Sequence, residues 1–411
     1  MLIAPVGGRR GIGASLPEVP GLSVGSPTVL GVKLLHTSDW HVGRSFHGQD
    51  LLADQESVLT ALAEVVRVEQ VDVVLVAGDI YDRAIPSAEA VGVATRALQR
   101  IRDCGAQIVA VPGNHDSAAR LGAFGGFLSA GGLHLRTDVA SVADPVVLDA
   151  GAGPVAIYGI PFLEPDLVRH RFGLSGPVSH QVVLRAAMDL IRADLAGRPG
   201  HRSVVLAHAF VVGAAVSGSE RSIAVGGVES VGADVFDGVD YVALGHLHTP
   251  QQVAPHLRYS GSVLPYSFTE TKGAKGVWLI DMAVAGGPRV SWRELPVIRP
   301  LACVSGELTE ILMGQSHLAD HYLAVELTDP VRPIDPMRRL REAFPWALTV
   351  TWRPPTAALA PIAYPTVTAT SSDRALLDRF LQECRGDAPT PSEAALLDRA
   401  VTDGRVGAAA E

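Results

Sequence analysis

Aspartate, asparagine and histidine residues recur at the ends of five apolar runs in the first 250 residues. Each run has the composition of a buried strand, and the carboxyl ends of strands are where open α/β sheets build their sites. The polar residues at these ends are Asp39, His41, Asp79, Asn114, His208, His246 and His248. Mixed oxygen and imidazole ligands suit manganese, iron or zinc better than calcium or magnesium, which prefer oxygen alone. The sequence therefore predicts a divalent metal site.

The spacing within two of these stretches supports the same prediction. Asp39 and His41 are two residues apart, and so are His246 and His248. In an extended backbone this spacing points both side chains of a pair the same way. Asp79 taken alone is better explained as a cap for the following helix. The aspartate, asparagine and histidine residues at the other four strand ends favour a shared metal site instead.

In chain order the five stretches contain D-x-H, G-D-x-x-D, G-N-H-D, a lone histidine and G-H-x-H. This series resembles the calcineurin-like metallophosphoesterases. The segments 36–44, 220–227 and 241–251 narrow the resemblance to the SbcD-type nuclease subunits of bacterial SbcCD complexes. The resemblance covers the chain from Lys33 to the C-terminal region and is sharpest through Phe268.

The resemblance implies two divalent metal ions, with manganese as the favoured metal. Such a pair can clamp the attacking and leaving oxygens of an in-line displacement at phosphorus. Asp79, the first aspartate of G-D-x-x-D, would bridge the two ions. The family assigns four ligands to each ion: Asp39, His41, Asp79 and His248 to the first, and Asp79, Asn114, His208 and His246 to the second.

Four further residues near these motifs are candidates for supporting roles. In the family, a histidine at the position of His115 does not bind metal, and it donates a proton to the departing ribose oxygen or stabilises the charge that forms there. We expect Asp116 to orient the His115 imidazole. Asp82 and Arg83 are candidates for supporting the ligands or facing the phosphate, although a helix-start acid and a surface base explain them equally well.

Composition limits the other possibilities. Glycine and proline interrupt every apolar run well before the roughly 18 residues that span a membrane. The cysteines, Cys104, Cys303 and Cys384, are far apart and unpaired in spacing, which fits a reducing cytoplasm.

A net charge of −9 argues against a nucleic-acid partner, because phosphate contacts need a basic surface. The argument is weak, since bound metal ions would offset several of the acids locally.

The pattern of apolar stretches predicts an α/β fold of several units. The first half alternates strand, helix, strand, helix, strand. We expect a two-sheet β-sandwich flanked by helices, as the family has, with antiparallel strands at 257–260 and 276–280 completing the second sheet. The predicted segments are a disordered extension at 1–31, the nuclease domain at 32–297, a small α/β capping domain at 298–354, a linker at 355–370 and a helical partner-binding tail at 371–411.

Three functions remain open at this stage. The resemblance implies a cytoplasmic DNA nuclease with 3′ to 5′ exonuclease activity and endonuclease activity on single strands and hairpins. It would act in DNA repair and recombination with an SbcC-type ATPase, as a homodimer within a heterotetramer. A small-substrate phosphodiesterase or phosphatase would share the five motifs but needs neither cap nor tail. A non-catalytic scaffold for the ATPase is disfavoured by intact ligands at all seven positions.

Overall fold

The computed structural model describes residues 31–149, 153–215, 220, 230–271, 273–282, 286–355, 372–385 and 387–408. The predicted extension and linker lie outside these residues, apart from Gly31 and Pro355 at their ends, and so does most of the 220–227 segment. Among the described helices, none combines the length and hydropathy that crossing a bilayer requires.

The described part of the chain alternates strands with helices. The strands, in chain order, are β1 (Lys33–Thr37), β2 (Ser45–Phe46), β3 (Gln49–Asp50), β4 (Val73–Ala77), β5 (Gln107–Val111), β6 (Leu133–Leu135), β7 (Val146–Leu148), β8 (Val155–Gly159), β9 (Arg202–His208), β10 (Tyr241–Gly245), β11 (Gln251–Ala254), β12 (Leu257–Tyr259), β13 (Gly276–Asp281), β14 (Arg289–Glu294), β15 (Leu301–Gly306), β16 (Tyr322–Leu327) and β17 (Ala347–Trp352). The α-helices are α1 (Leu52–Glu69), α2 (Ala88–Asp103), α3 (Ala118–Leu121), α4 (Gly125–Ala130), α5 (Pro165–Val168), α6 (His180–Ala196), α7 (Leu308–Gly314), α8 (Pro336–Ala343), α9 (Asp373–Arg385) and α10 (Pro391–Ala408).

Two six-stranded sheets form the body of the protein. Their strand orders are β14-β13-β1-β4-β5-β6 and β11-β12-β10-β9-β8-β7. The inner faces meet in an apolar core that includes Leu34, Leu75 and Val109 from the first sheet and Ile157 and Leu206 from the second. Helices α1 and α2 cover the outer face of the first sheet, and α6 covers that of the second. This arrangement confirms the predicted α/β sandwich.

Local residues mark both ends of α2, the helix between β4 and β5. The Ser87 hydroxyl accepts the Ala90 N–H at 3.2 Å, which satisfies one of the free donors of the first turn of α2. Gly105 follows α2 with φ of 91°, a conformation that glycine adopts without a steric penalty. The chain is thereby turned back into β5.

The predicted placement of the late strands is right for β12 and wrong for β13. β12 belongs to the second sheet, where it pairs antiparallel with β11 and parallel with β10. β13 pairs antiparallel with β1 and so belongs to the first sheet. The local pattern of apolar residues identifies a strand but carries no information about its partner, which depends on where the chain returns in space.

A small unit follows the sandwich. Its parallel sheet, β15-β16-β17, packs with α7 and α8 around Leu323, Leu340 and Phe344. Tyr322 joins this unit to the sandwich, because its hydroxyl donates to Asp54 Oδ2 at 2.7 Å.

The C-terminal tail contains two helices. α9 and α10 contact each other, and Arg374 joins them by donating to the Ala394 carbonyl at 2.7 Å and pairing with Asp398. Leu376, Phe380 and Leu396 remain exposed. The tail therefore keeps apolar surface that its own hairpin does not bury.

Candidate metal centre

The loops that follow β1, β4, β5, β9 and β10 bring all seven predicted ligands to one edge of the sandwich. Six of the seven are buried, and Asn114 is half-buried. Potential ligand atoms of Asp39, His41 and His248 lie within 4.8 Å of one another. Those of Asp39, Asp79 and His208 do as well. The residues thus form two adjoining sets.

In the first set, two imidazoles face each other. His41 Nε2 lies 3.1 Å from His248 Nε2 and 3.5 Å from Asp79 Oδ2. In the tautomers that carry the ring proton on Nδ1, both of these nitrogens present a lone pair to the space beside them, and a cation bound there would satisfy both lone pairs.

In the second set, Asn114 Oδ1 lies between two imidazoles. It is 3.0 Å from His208 Nε2 and 3.3 Å from His246 Nδ1. His208 Nδ1 donates to the Ala77 carbonyl at 2.9 Å, which leaves Nε2 to face the site. Since Asp79 Oδ2 is 3.4 Å from His208 Nε2, the same oxygen that faces His41 also faces this set.

The backbone at the ligands is not extended. Asp39, His41 and Asp79 have φ of 52°, 45° and 52°, and His246 has φ of 106°. Such values are uncommon for residues other than glycine and occur where the surroundings hold them, often at functional sites. Here Asp39 N–H donates to the Gly78 carbonyl and His41 N–H to the Asp79 carbonyl, both at 3.0 Å. The i, i+2 pairs therefore converge through left-handed turns, which the extended-strand argument does not describe.

Two glycines make room for this packing. A Cβ on Gly78 would collide with the His208 ring, and one on Gly113 would collide with the Asp79 carboxylate. Gly78 also has φ of 92°, a value that suits glycine. The glycines of G-D-x-x-D and G-N-H-D are thus required by the close approach of neighbouring ligands.

Burial changes the ionisation of the ligands. It raises the pKa of Asp39 to about 7. It lowers the pKa of His246 to about 3 and that of His248 well below its ordinary value, so both rings stay neutral and keep a lone pair. Burial opposes the charge on His208 as well, but the Asp79 carboxylate outweighs it and raises the pKa of His208 to about 9.

The donor set fits divalent metal ions. Neutral imidazoles and carboxylates are the forms that bind metal, and binding displaces protons from the others. Asp39 and Asp79 are buried carboxylates, and buried charges are paired or coordinate metals. We therefore describe this edge of the sandwich as a candidate metal centre.

His115 lies beside the ligands. Its N–H donates to Asp79 Oδ1 at 2.9 Å, and its ring packs edge-on against His41 with centroids 4.7 Å apart. Its Nδ1 donates to the Asp82 carbonyl at 2.7 Å. The ring is thus oriented by Asp82 and not by Asp116, to which the sequence analysis gives that role.

Asp116 holds the loops together instead. Its carboxylate accepts the N–H groups of Ile80 at 3.0 Å, Tyr81 at 2.9 Å and Gly113 at 3.0 Å. These three bonds direct both carboxylate oxygens toward backbone N–H groups of the two loops, whereas the His115 ring bonds to the Asp82 carbonyl. The residue ties the loop after β4 to the loop after β5.

The two remaining candidates differ in position. Asp82 lies at the site, since its Oδ1 is 3.5 Å from His41 Nδ1. The side chain of Arg83 is 81% exposed and approaches only Asp82, at 3.9 Å. Arg44, to which the sequence analysis gives no role, is nearer: it is 3.6 Å from Asp82 and lies over the Tyr266 ring.

Sequence reasoning also misses Gln55 in α1. Its buried amide accepts the Gly43 N–H at 2.9 Å and donates to the His41 carbonyl at 2.7 Å and to the Tyr266 hydroxyl at 3.3 Å. Tyr266 in turn donates to the Trp40 carbonyl at 2.6 Å. Gln55 therefore holds the left-handed turn at His41. A polar residue within an apolar helical stripe is the signal that could have found it.

The family model for the calcineurin-like phosphoesterases matches residues 32–250. This is more than half of the 411 residues, and the chain belongs to that family. It is accordingly a metal-dependent phosphoester hydrolase. The model of the SbcD C-terminal domain, described as the Type 5 capsule protein repressor C-terminal domain, matches residues 297–385. Together the two matches confirm the predicted resemblance to SbcD-type subunits.

Solved structures with a similar fold have low sequence identity to this chain. The protein TT1561 of Thermus thermophilus is 12% identical with a TM-score of 0.38, covering 64% of this chain and 99% of its own. The calcineurin-like phosphoesterase YfkN from Bacillus subtilis is 15% identical with a TM-score of 0.37, covering 64% and 91%. A dimetal phosphatase from Danio rerio is 13% identical with a TM-score of 0.38, covering 64% and 96%.

Gln55→Leu tests the support of His41. The change leaves the Gly43 N–H buried without its partner and removes one of the two donors to the His41 carbonyl, which keeps the Arg44 N–H at 2.9 Å. A buried group without a partner costs about 1–3 kcal/mol, so we expect the free energy of unfolding of the metal-free chain to fall by about that amount, with weaker Mn²⁺ binding. Urea denaturation and isothermal titration measure the two effects. Gln99→Leu, on the exposed face of α2, is the control, and equal behaviour of the two variants would contradict the role of Gln55.

Proposed function

We propose that the chain is a manganese-dependent DNA nuclease in which two ions are bridged by Asp79. The observation that carries the proposal is the position of Asp79 Oδ2, 3.5 Å from His41 Nε2 and 3.4 Å from His208 Nε2. One carboxylate oxygen facing both ligand sets is what a shared ligand requires. The first ion would be held by Asp39, His41, Asp79 and His248, and the second by Asp79, Asn114, His208 and His246.

A bound metal pair supplies electrophilic stabilisation of a phosphoryl group and lowers the pKa of a water molecule that attacks it. Asn114 contributes a neutral ligand, which leaves more positive charge for the phosphate than a third carboxylate would. The left-handed turns at Asp39, His41 and Asp79 hold the ligands before any ion arrives. Such preorganisation avoids rearrangement during the reaction.

His115 is proposed to handle the proton of the leaving oxygen. Its Nδ1–H bond to the Asp82 carbonyl fixes the ring and leaves Nε2 as the exchanging position. The Asp82 carboxylate lies 4.0 Å from the same Nδ1, so a second proton on the ring would have a nearby counter-charge. In this role His115 protonates the departing ribose oxygen and binds no metal.

The part of the chain that follows the sandwich favours DNA over a small substrate. A small-substrate phosphodiesterase needs neither the β15–β17 unit nor the α9–α10 hairpin, whereas an SbcD-type nuclease has both a cap and a partner-binding tail. Intact ligands argue against a scaffold without catalysis. We propose 3′ to 5′ exonuclease activity and endonuclease activity on single strands and hairpins.

The nuclease proposal is tested with purified chain on blunt, hairpin and single-stranded DNA. Mn²⁺ should support cleavage strongly and Mg²⁺ poorly, because four of the seven ligands are imidazoles.

His115→Asn should abolish turnover yet leave two ions bound in metal analysis, while Asp79→Ala should lose both turnover and metal. Hydrolysis of a small phosphodiester without DNA cleavage would favour the alternative enzyme. Loss of one ion in His115→Asn would make His115 a ligand.

The α9–α10 hairpin is proposed to bind an SbcC-type ATPase. Leu376, Phe380 and Leu396 are exposed on a hairpin whose helices contact each other. An amphipathic helix with an unburied apolar face suits docking in a partner's groove, here the coiled-coil base of the ATPase. Folding back onto the cap is the alternative.

Truncation after Thr370 separates these two arrangements. Without the hairpin, single-strand cleavage should persist, because the metal ligands all precede residue 250. Binding of the ATPase and ATP-dependent processing of duplex DNA should fail. Co-purification assays with both chains measure the first effect, and full-strength co-purification of the truncated chain would disprove docking.

A second copy of the chain is proposed to cover α3 and α4. Neither helix contains a buried residue, and Phe127 is 84% exposed with Phe124 nearby at 68%. Exposed aromatic side chains that share a short helical segment are typical of an interface. A homodimer would bury them on both copies at once.

Phe127→Asp should therefore give a monomer in sedimentation velocity at concentrations where the unchanged chain is a dimer. In the dimer, the two new carboxylates would lie opposite each other across the two-fold axis and would be removed from water without a counter-charge. Val331→Asp, at an exposed apolar position in the C-terminal unit, is the control and should stay dimeric. A monomeric unchanged chain would refute the dimer.

A further inference from the structure

Lys275 and Glu270 form an ion pair that is buried behind the ligands. Lys275 Nζ lies 2.5 Å from Glu270 Oε2, and the two side chains expose 10% and 4% of their surface. Removing both charges from water costs several kcal/mol per ion, so such a pair is weak evidence of stabilisation. Its location suggests a different role.

The ammonium group of Lys275 has three acceptors. Besides Glu270, it donates to the His248 carbonyl at 2.7 Å and to Ser262 Oγ at 2.9 Å. The His248 carbonyl also accepts the Ser262 N–H at 3.1 Å. On the other side, His248 N–H donates to Glu220 Oε1 at 3.1 Å. Both peptide groups that flank His248 are therefore held.

With both peptide groups held, only side-chain rotation remains to orient the His248 ring. The ring places Nε2 at 3.1 Å from His41 Nε2. Tyr266 restricts the rotation, because its ring packs edge-on against His248 with centroids 5.6 Å apart and against His41 at 5.5 Å. Glu270 holds Tyr266 in turn, since its Oε1 accepts the Tyr266 N–H at 3.3 Å.

We propose that the Lys275–Glu270 ion pair is a positioning device for His248, and that it sets the affinity of the first ligand set for its metal ion. The inference rests on the proposed function, because it takes His248 as a ligand. Neither residue touches the metal or the substrate in this role. Lys275 acts through the His248 carbonyl, and Glu270 acts through Lys275 and Tyr266.

If the ion pair had only a structural role, it would stabilise the segment that connects β12 to β13. The two roles predict different results when both charges are replaced by apolar groups of similar size. Such replacement of a buried ion pair is often neutral for stability or increases it, because no charge is left unpaired. It nevertheless removes the ammonium donor to the His248 carbonyl and leaves that carbonyl to Ser262, so the restraint on His248 is weakened while the fold remains.

The experiment compares the unchanged chain with the double variant Glu270→Met/Lys275→Met and with Glu270→Gln. Lys33→Met is the matched control, since it also removes a lysine ammonium. Lys33 is exposed and lies at the N-terminal end of β1, away from the candidate ligands that follow the C-terminal end of this strand. Three properties are measured: the urea denaturation of the metal-free chain, the binding of Mn²⁺ by isothermal titration, and the visible absorption spectrum of the Co²⁺-loaded chain.

We expect the double variant to unfold at a similar urea concentration but to bind one of its two ions about tenfold or more weakly, as loss of a group that orients a ligand does. Its Co²⁺ spectrum should change. Glu270→Gln keeps the shape of the side chain and an acceptor for Lys275, so it should retain most of the affinity. Lys33→Met should match the unchanged chain in all three measurements.

Two results would overturn the proposal. A folded double variant with the original Mn²⁺ affinity and Co²⁺ spectrum would show that the pair does not position His248. A double variant that does not fold would show that the pair supports the fold itself. Failure of the unchanged chain to bind divalent metal is a separate outcome, because it contradicts the proposed function, and this inference with it, before any variant is compared.

Discussion

The position of the Asp79 carboxylate is the constraint on which the site depends. Its Oδ2 faces imidazoles of both ligand sets, and its Oδ1 accepts the N–H of His115. This position requires a left-handed residue directly after a fully buried strand, with glycines at 78 and 113 to admit it. The chemistry of the site is therefore tied to the backbone at the end of β4.

Polar groups placed behind the ligands fix the loops from which the ligands come. Gln55 holds the turn at His41, Asp116 ties the loops after β4 and β5, and Lys275 restrains His248. Each of these side chains bonds to backbone atoms of a ligand or its neighbours. Loops without such bonds would leave the positions of the ligand side chains poorly fixed. The supporting side chains connect the loops to the rigid sandwich and so fix these positions.

The residues that the fold brings together as candidate ligands are predictable from the sequence, because residue type and position after an apolar run are local properties. The conformation of Asp39 and His41 is not, since their left-handed turns depend on carbonyls of the neighbouring loop. The role given to Asp116 is wrong for a related reason: adjacency in sequence to His115 does not show where its oxygens point. Gln55 and the Lys275–Glu270 pair escape detection because their partners are far away along the chain.

The same non-local pairing has a consequence for how the chain folds. Among the described strands β1 is the first to be synthesised, and one of its two neighbours, β13, comes after all the strands of the second sheet, with Lys33 opposite Asp281. Until β13 arrives, β1 is an edge strand with unpaired N–H and C=O groups, the feature through which chains associate incorrectly. Contacts of such long range slow folding and prolong the exposure. During synthesis, the strand that leads into Asp39 and His41 is thus the one that most needs protection from other chains.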